Sequence, residues 1–225
     1  DTMNSKLIIF IAISVVHLVA HLMAFQWLVF ITKPLLIPIL LWYFSEGLSV
    51  GNLTLIQKRM VAALSLAWIG DIINLYSQVS HWIFMAGIIV FLAMQIMYII
   101  ICFYLISFKQ INLLYLIFCA LLFITYGSIL LWTLLPHLND LTIPVLIYAS
   151  ALTLTGIASA LTKDQLPRNV FYCLLTGTIL YIITDSLDAI NNFKASFPYA
   201  SFWIALTYLA AQMMITIAIK KIKTV

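Results

Sequence analysis

Long apolar runs alternate with short polar segments along the sequence, and each run has the length of a membrane-spanning helix. Such a helix needs about 20 mainly apolar residues. Eight stretches qualify or come close: 7–23, 27–44, 60–76, 82–104, 113–132, 143–161, 170–187 and 197–219. The pattern therefore predicts an all-α, polytopic membrane protein with eight transmembrane helices.

The composition excludes an ordinary soluble domain, because 65% of the residues are hydrophobic and only 8% are charged. We expect residues 1–225 to form one integral, multi-pass membrane domain, placed in the inner membrane if the host is bacterial. Cys102, Cys119 and Cys173 fall in or near predicted spans at spacings that fit no metal motif. They are interpreted as buried, unpaired thiols.

The lysines and arginines predict the orientation, because cytoplasmic loops carry an excess of them. Eight spans place both termini on the same side. Nine of the 11 Lys and Arg residues lie on that side, and only Lys33 and Lys194 lie on the other. Both termini are therefore predicted to be cytoplasmic. The net charge of +4 follows from this orientation, so no nucleic-acid partner is expected.

Carboxylates inside two of the apolar runs are the strongest sign of function. Asp185 and Asp188 lie one helical turn apart in span 7, and span 3 carries Asp71 with Asn74 three residues later. A carboxylate near the middle of a bilayer costs about 2.5 to 3.5 kcal/mol on insertion scales and marks a candidate functional site. Prolines early in spans 2 and 6 extend this similarity, which favours a 4+4 parallel repeat.

The predicted orientation also sorts the polar residues by depth. Asp71 lies about 11 residues into span 3, or roughly 16 Å at 1.5 Å per residue, which is at or just beyond the midplane. Seven polar residues from four helices are predicted in the non-cytoplasmic half of the membrane: His17, His21, Lys33, Asp71, Asn74, Asp185 and Asp188. A site open to that half of the bilayer is therefore expected.

Asp71 and Asp185 have two interpretations. A low-dielectric site disfavours a charged carboxylate, and two close carboxylates disfavour double ionisation. Such a pair can hold one proton donor and one proton acceptor at neutral pH, as acid/base catalysis requires. The alternative is structural: each Asp forms a salt bridge, with Lys33 as a candidate partner, that locks helices together.

The other basic residues of the predicted site have alternatives as well. His17 and His21 are spaced i, i+4 and could ligate a metal together with Asp71 or Asp185. Packing or supporting histidines are favoured, because the two remaining histidines lie in or near loops. No metal and no cofactor are therefore predicted. Lys33 could neutralise a phosphate, pair with an Asp, or extend its ammonium group to the interface.

The ordered polar and glycine positions resemble those of a known family. They are Lys33-Pro34-Leu35, Gly70-Asp71, 87–98 (GIIVFLAMQIMY), Pro144-Val145 with Tyr148, 177–185 (GTILYIITD) with Ser186, and 208–212 (YLAAQ). Together they resemble the YhhN-like family of membrane proteins, the lysoplasmalogenases. Position 95 departs from the family, because Gln95 stands where many members are expected to have His.

The resemblance implies an eight-helix hydrolase that cleaves the vinyl ether bond of lysoplasmalogens, giving a fatty aldehyde and a glycerophospho-head group. It implies that Asp71 and Asp185 are the paired catalytic aspartates. The partner is then a membrane lysophospholipid; no feature of the sequence predicts an oligomeric state. The candidate substrate-binding residues are Lys33, Asn74, Gln95, Tyr98, Tyr148, Asp188, His17, His21 and Gln212.

Two other functions fit the same residues. Intramembrane acids also serve as proton relays, so a proton-coupled transporter is the main alternative. A non-catalytic lipid-binding or receptor-like bundle is the other. The enzyme is distinguished from the transporter by aldehyde release in detergent, because transport needs two compartments.

Overall fold

The computed structural model describes residues 5–48 and 53–222, apart from the side chain of residue 110, and every regular element within these ranges is helical. The long helices are α1 (Ser5–Leu22), α2 (Gln26–Ser45), α3 (Leu55–Leu75), α4 (His81–Leu105), α5 (Leu113–Leu134), α6 (Thr142–Ala160), α7 (Arg168–Ala189) and α8 (Ala200–Lys220). Each predicted span corresponds to one of them, so the all-α class is confirmed.

Short helical turns complete these ranges. Three are 3₁₀ turns: Phe108–Gln110, Leu135–His137 and Asn139–Leu141. The fourth is a π-helical turn, Ile190–Lys194, that continues α7.

Seven helical segments are long and apolar enough to cross a membrane. Among the described helices, α3 is the long one outside this set, and it carries Lys58, Arg59 and Asp71. An integral, multi-pass membrane protein is therefore supported. The eighth span, the cytoplasmic termini and the repeat remain predictions.

The chain divides into two compact units at Met97. In the first unit α1 packs on α2 and α2 packs on α3. In the second unit α5 packs on α6, α6 on α7, and α7 on α8. The expectation of one domain over residues 1–225 stays a prediction.

The two prolines of α2 explain how α3 is held beside it. Pro38 has no backbone N–H, so the carbonyl of Pro34 lacks the donor that a helix normally supplies four residues later. The indole Nε1–H of Trp68 in α3 donates to this carbonyl at 2.9 Å. Neighbouring helices often satisfy carbonyls freed by proline in membranes, and here the bond fixes α3 next to Lys33.

Close backbone packing holds α7 against α8. A methyl group placed on Gly177 would lie 3.0 Å from the backbone nitrogen of Ile215, so only glycine allows this approach. Nearer the end of α7, Thr184 and Thr207 are joined by a 2.8 Å hydrogen bond between their hydroxyls. The part of α7 that carries Asp185 is therefore well fixed in the second unit.

Candidate functional site

Asp71 is buried in the first unit, with 3% of the residue exposed. The ammonium nitrogen of Lys33 lies 3.9 Å from its Oδ1. This distance allows Coulomb attraction but exceeds that of a direct hydrogen bond. The ion pair considered from the sequence is thus observed, and it links α2 to α3.

The residue before Asp71 allows an aromatic ring to lie against α3. A methyl group on Gly70 would come within 2.9 Å of the ring of Phe91 in α4. The ring therefore packs directly on the backbone that carries Asp71. This contact restricts the space around the carboxylate on that side.

His17 of α1 is buried, and its hydrogen bonds determine its tautomer. Its Nδ1 lies 2.7 Å from Oγ1 of Thr32 in α2. The Thr32 hydroxyl has one proton, which it donates to the carbonyl of Leu28 at 2.7 Å. Thr32 must therefore accept the Nδ1–H of His17.

The same reasoning extends to His21. Neutral His17 with its proton on Nδ1 can only accept at Nε2. The Nε2 of His21 lies 3.2 Å from that atom, so His21 donates its Nε2–H. Both ring nitrogens of His17 are occupied by protein partners, which favours the supporting role over metal ligation.

Metal ligation can also be examined by geometry. Within residues 5–48 and 53–222, no group of three or more His, Cys, Asp or Glu side chains is placed to hold a metal ion. Metal-independent catalysis remains a prediction.

Asp185 lies in the second unit and is partly buried. The hydroxyl of Tyr148 in α6 donates to its Oδ2 at 2.9 Å. Next to it, Ser186 contacts the hydroxyl of Tyr126 in α5 at 2.8 Å. With Thr184 bonded to α8, the residues on both sides of Asp185 are anchored, so the position of its carboxylate is well defined.

Two further predicted residues bind each other in the second unit. The hydroxyl of Tyr98 donates to Oε1 of Gln212 at 2.6 Å. Both residues are buried. A short bond between buried groups joins the end of α4 to α8, and a direct role of either residue in substrate binding stays a prediction.

The remaining predicted residues occupy different positions. Asn74 lies near the end of α3, where its backbone carbonyl accepts from the hydroxyl of Ser77 at 2.8 Å. Gln95 is fully buried in α4. Asp188 is partly buried, one turn after Asp185. Asp71 and Asp185 belong to different units, so their pairing stays a prediction.

Two residues that contribute to these groups were not identified from the sequence. Thr32 fixes the tautomer of His17, and Tyr181 contacts Tyr148. A signal existed for Tyr181, because it lies four residues before Asp185 and therefore on the same face of α7. Thr32 offered less, since threonine is common inside membrane helices.

The helices and the buried polar groups within them define a polytopic helical membrane protein with acidic residues inside its apolar segments. The sequence profile of the YhhN family matches residues 28–219, and the chain belongs to this family. The family resemblance drawn from the sequence is thereby confirmed.

The matched range begins in α2 and ends in α8. It includes Lys33, Asp71, Tyr148 and Asp185, whereas α1 with its histidine pair lies outside it. Searches of curated proteins and of solved structures returned no match.

Proposed function

We propose that the protein is a membrane hydrolase that cleaves the vinyl ether bond of lysoplasmalogen-type lysophospholipids. The observation that carries the proposal is the presence, in a YhhN family chain, of two aspartates in the predicted membrane helices, each with a defined partner. Lys33 accompanies Asp71, and Tyr148 donates to Asp185. Such acids are costly in a membrane and are therefore candidate functional groups.

The reaction needs one proton donor and one proton acceptor. A proton is first transferred to the β-carbon of the vinyl ether, which gives an oxocarbenium ion. Water adds to the cationic carbon and loses a proton, forming a hemiacetal. The hemiacetal then breaks into a fatty aldehyde and the glycerophospho-alcohol, with proton transfer to the leaving oxygen.

Asp71 and Asp185 are the proposed acid/base residues. Positioned acids and bases typically contribute 10² to 10⁴-fold to a rate, and negative charge near the oxocarbenium carbon stabilises the transition state. Lys33 is the proposed ligand of the lipid phosphate. Its side chain is 21% exposed, so its ammonium group retains access to a ligand while lying near Asp71.

The test is turnover by the purified protein in detergent. Lysoplasmalogen is compared with the matched 1-O-alkyl lysolipid, which lacks the double bond. We expect aldehyde from the first lipid only. In D₂O, mass spectrometry should find one deuterium on the carbon next to the aldehyde carbonyl, because that carbon receives the proton in the first step.

Two outcomes would contradict the proposal. Aldehyde without deuterium would exclude protonation at carbon. No aldehyde from the alkenyl lipid, together with lipid-dependent proton uptake in proteoliposomes, would favour the transporter.

A further inference from the structure

Tyr181 is a buried polar residue for which neither the sequence nor the proposed reaction provides a role. Only 2% of the residue is exposed. It lies on α7 one turn before Asp185. Its hydroxyl is hydrogen-bonded to Tyr148, the same residue that donates to Asp185.

The direction of these hydrogen bonds follows from counting protons. A phenol has one proton to donate. Tyr148 donates its proton to Oδ2 of Asp185 at 2.9 Å, so it accepts the proton of Tyr181. The result is a chain of two phenols that ends on the carboxylate. Each bond in such a chain polarises the next and strengthens it.

Aromatic packing holds Tyr181 in place. Its ring lies 6.4 Å from that of Tyr98 at an angle of 79° and 6.4 Å from that of Tyr208 at 53°. Tyr98 is itself fixed by its bond to Gln212. Tyr148 is more exposed than Tyr181, so the buried phenol is the rigid member of the pair and the other is the one that needs orienting.

We propose that Tyr181 is a positioning residue that acts through Tyr148 to orient the Asp185 carboxylate and stabilise its negative charge during hydrolysis. This inference rests on the proposed function. Because the phenol chain donates to Asp185, it favours the ionised form of that carboxylate. Asp185 is then the group that accepts a proton from the attacking water.

The test compares Tyr181→Phe, Tyr148→Phe and the double variant. Tyr181→Phe should lower kcat about 3- to 10-fold, the effect of one neutral hydrogen bond, with KM within about twofold. Tyr148→Phe should lower kcat further, because it removes the bond to the charged group. The double variant should be no slower than Tyr148→Phe, since residues that act in one chain are not additive.

Tyr126→Phe is the matched control. It removes a phenol that bonds to Ser186, the residue next to Asp185, and leaves the bond to Asp185 intact. Its kcat should stay at the wild-type value. Equal losses from Tyr181→Phe in both the wild-type and the Tyr148→Phe backgrounds would show an independent role and overturn the proposal, as would an unchanged kcat in Tyr181→Phe.

A second measurement separates this inference from the hydrolase proposal. Infrared difference spectra against Asp185→Asn identify the carboxylate band of Asp185 without any turnover. Tyr181→Phe should shift that band, and Tyr126→Phe should not. An unshifted band in Tyr181→Phe overturns the role of Tyr181, whereas absence of aldehyde release by the wild type overturns the hydrolase.

Discussion

The ammonium nitrogen of Lys33 lies 3.9 Å from Oδ1 of Asp71, and the two residues come from neighbouring helices of the first unit. At this distance the pair is held by electrostatic attraction without a direct hydrogen bond. A lysine side chain is flexible and carries three donors. Lys33 is therefore suited to exchange part of its interaction with Asp71 for a phosphate.

Lys33→Gln should raise KM for lysoplasmalogen roughly tenfold, the loss expected for a charge-assisted hydrogen bond. Binding shared by ground and transition states affects KM more than kcat, so kcat should change less. An alkenyl glycerol without phosphate should show no change in KM. Steady-state kinetics on both lipids measure this.

Lys6→Gln is the control for Lys33→Gln. It removes another ion pair of the first unit, Lys6 with Glu46 at 3.1 Å, and should leave both kinetic constants unchanged. An equal rise in KM for the lipids with and without phosphate would contradict phosphate binding by Lys33.

Asp71→Asn and Asp185→Asn should each lower kcat by about 10² to 10⁴-fold, because Asn keeps the size of Asp but cannot transfer the proton. Both variants should remain folded and monodisperse on size exclusion. Asp164→Asn alters an exposed acid in the turn before α7 and should retain full activity.

Either aspartate variant that keeps more than about a tenth of the wild-type activity would lose its catalytic assignment. Aggregation of a variant instead would support the structural interpretation of that aspartate.

Turnover should not depend on a metal ion. Both ring nitrogens of His17 are engaged, by Thr32 and by His21, so metal binding would have to break a bond that the fold already makes. Activity should survive a strong chelator, and elemental analysis should find no stoichiometric zinc. Loss of activity on chelation, with recovery when zinc is added back, would make His17 and His21 ligands.

The sequence predicted the existence of the helices better than their ends, because apolar runs report burial in lipid and polar caps lie outside them. Span 3 was predicted from residue 60, whereas α3 begins at Leu55. Thr54 and Gln57 form a capping box there, which starts the helix before its charged residues. At the other end of the chain, α7 continues through a π-helical turn that apolar periodicity does not report.

The sequence identified most residues of the candidate site but few of their contacts. Intramembrane acids are conspicuous because their burial is costly, so Asp71 and Asp185 could be found directly. The bond from Tyr148 to Asp185 depends on how α6 and α7 rotate against each other, which one sequence does not specify. Tyr181 was missed because a tyrosine in an apolar run usually indicates packing.

The bond from Trp68 to the carbonyl of Pro34 gives a test of how the first unit is built. Trp68→Phe keeps an aromatic ring but removes the indole N–H, leaving a carbonyl without its donor at a cost of about 1 to 3 kcal/mol. For a protein of this size that corresponds to a fall in Tm of roughly 3 to 10 °C, measured by thermal unfolding in detergent.

Pro38→Ala should restore part of the loss caused by Trp68→Phe, because Ala at this position supplies the backbone N–H that α2 lacks. The control is Trp82→Phe, which alters a tryptophan that is 79% exposed at the start of α4 and should leave Tm almost unchanged. If Pro38→Ala lowers Tm by the same amount with Trp68 and with Trp68→Phe, the indole bond does not compensate for the proline, and packing alone holds α3 against α2.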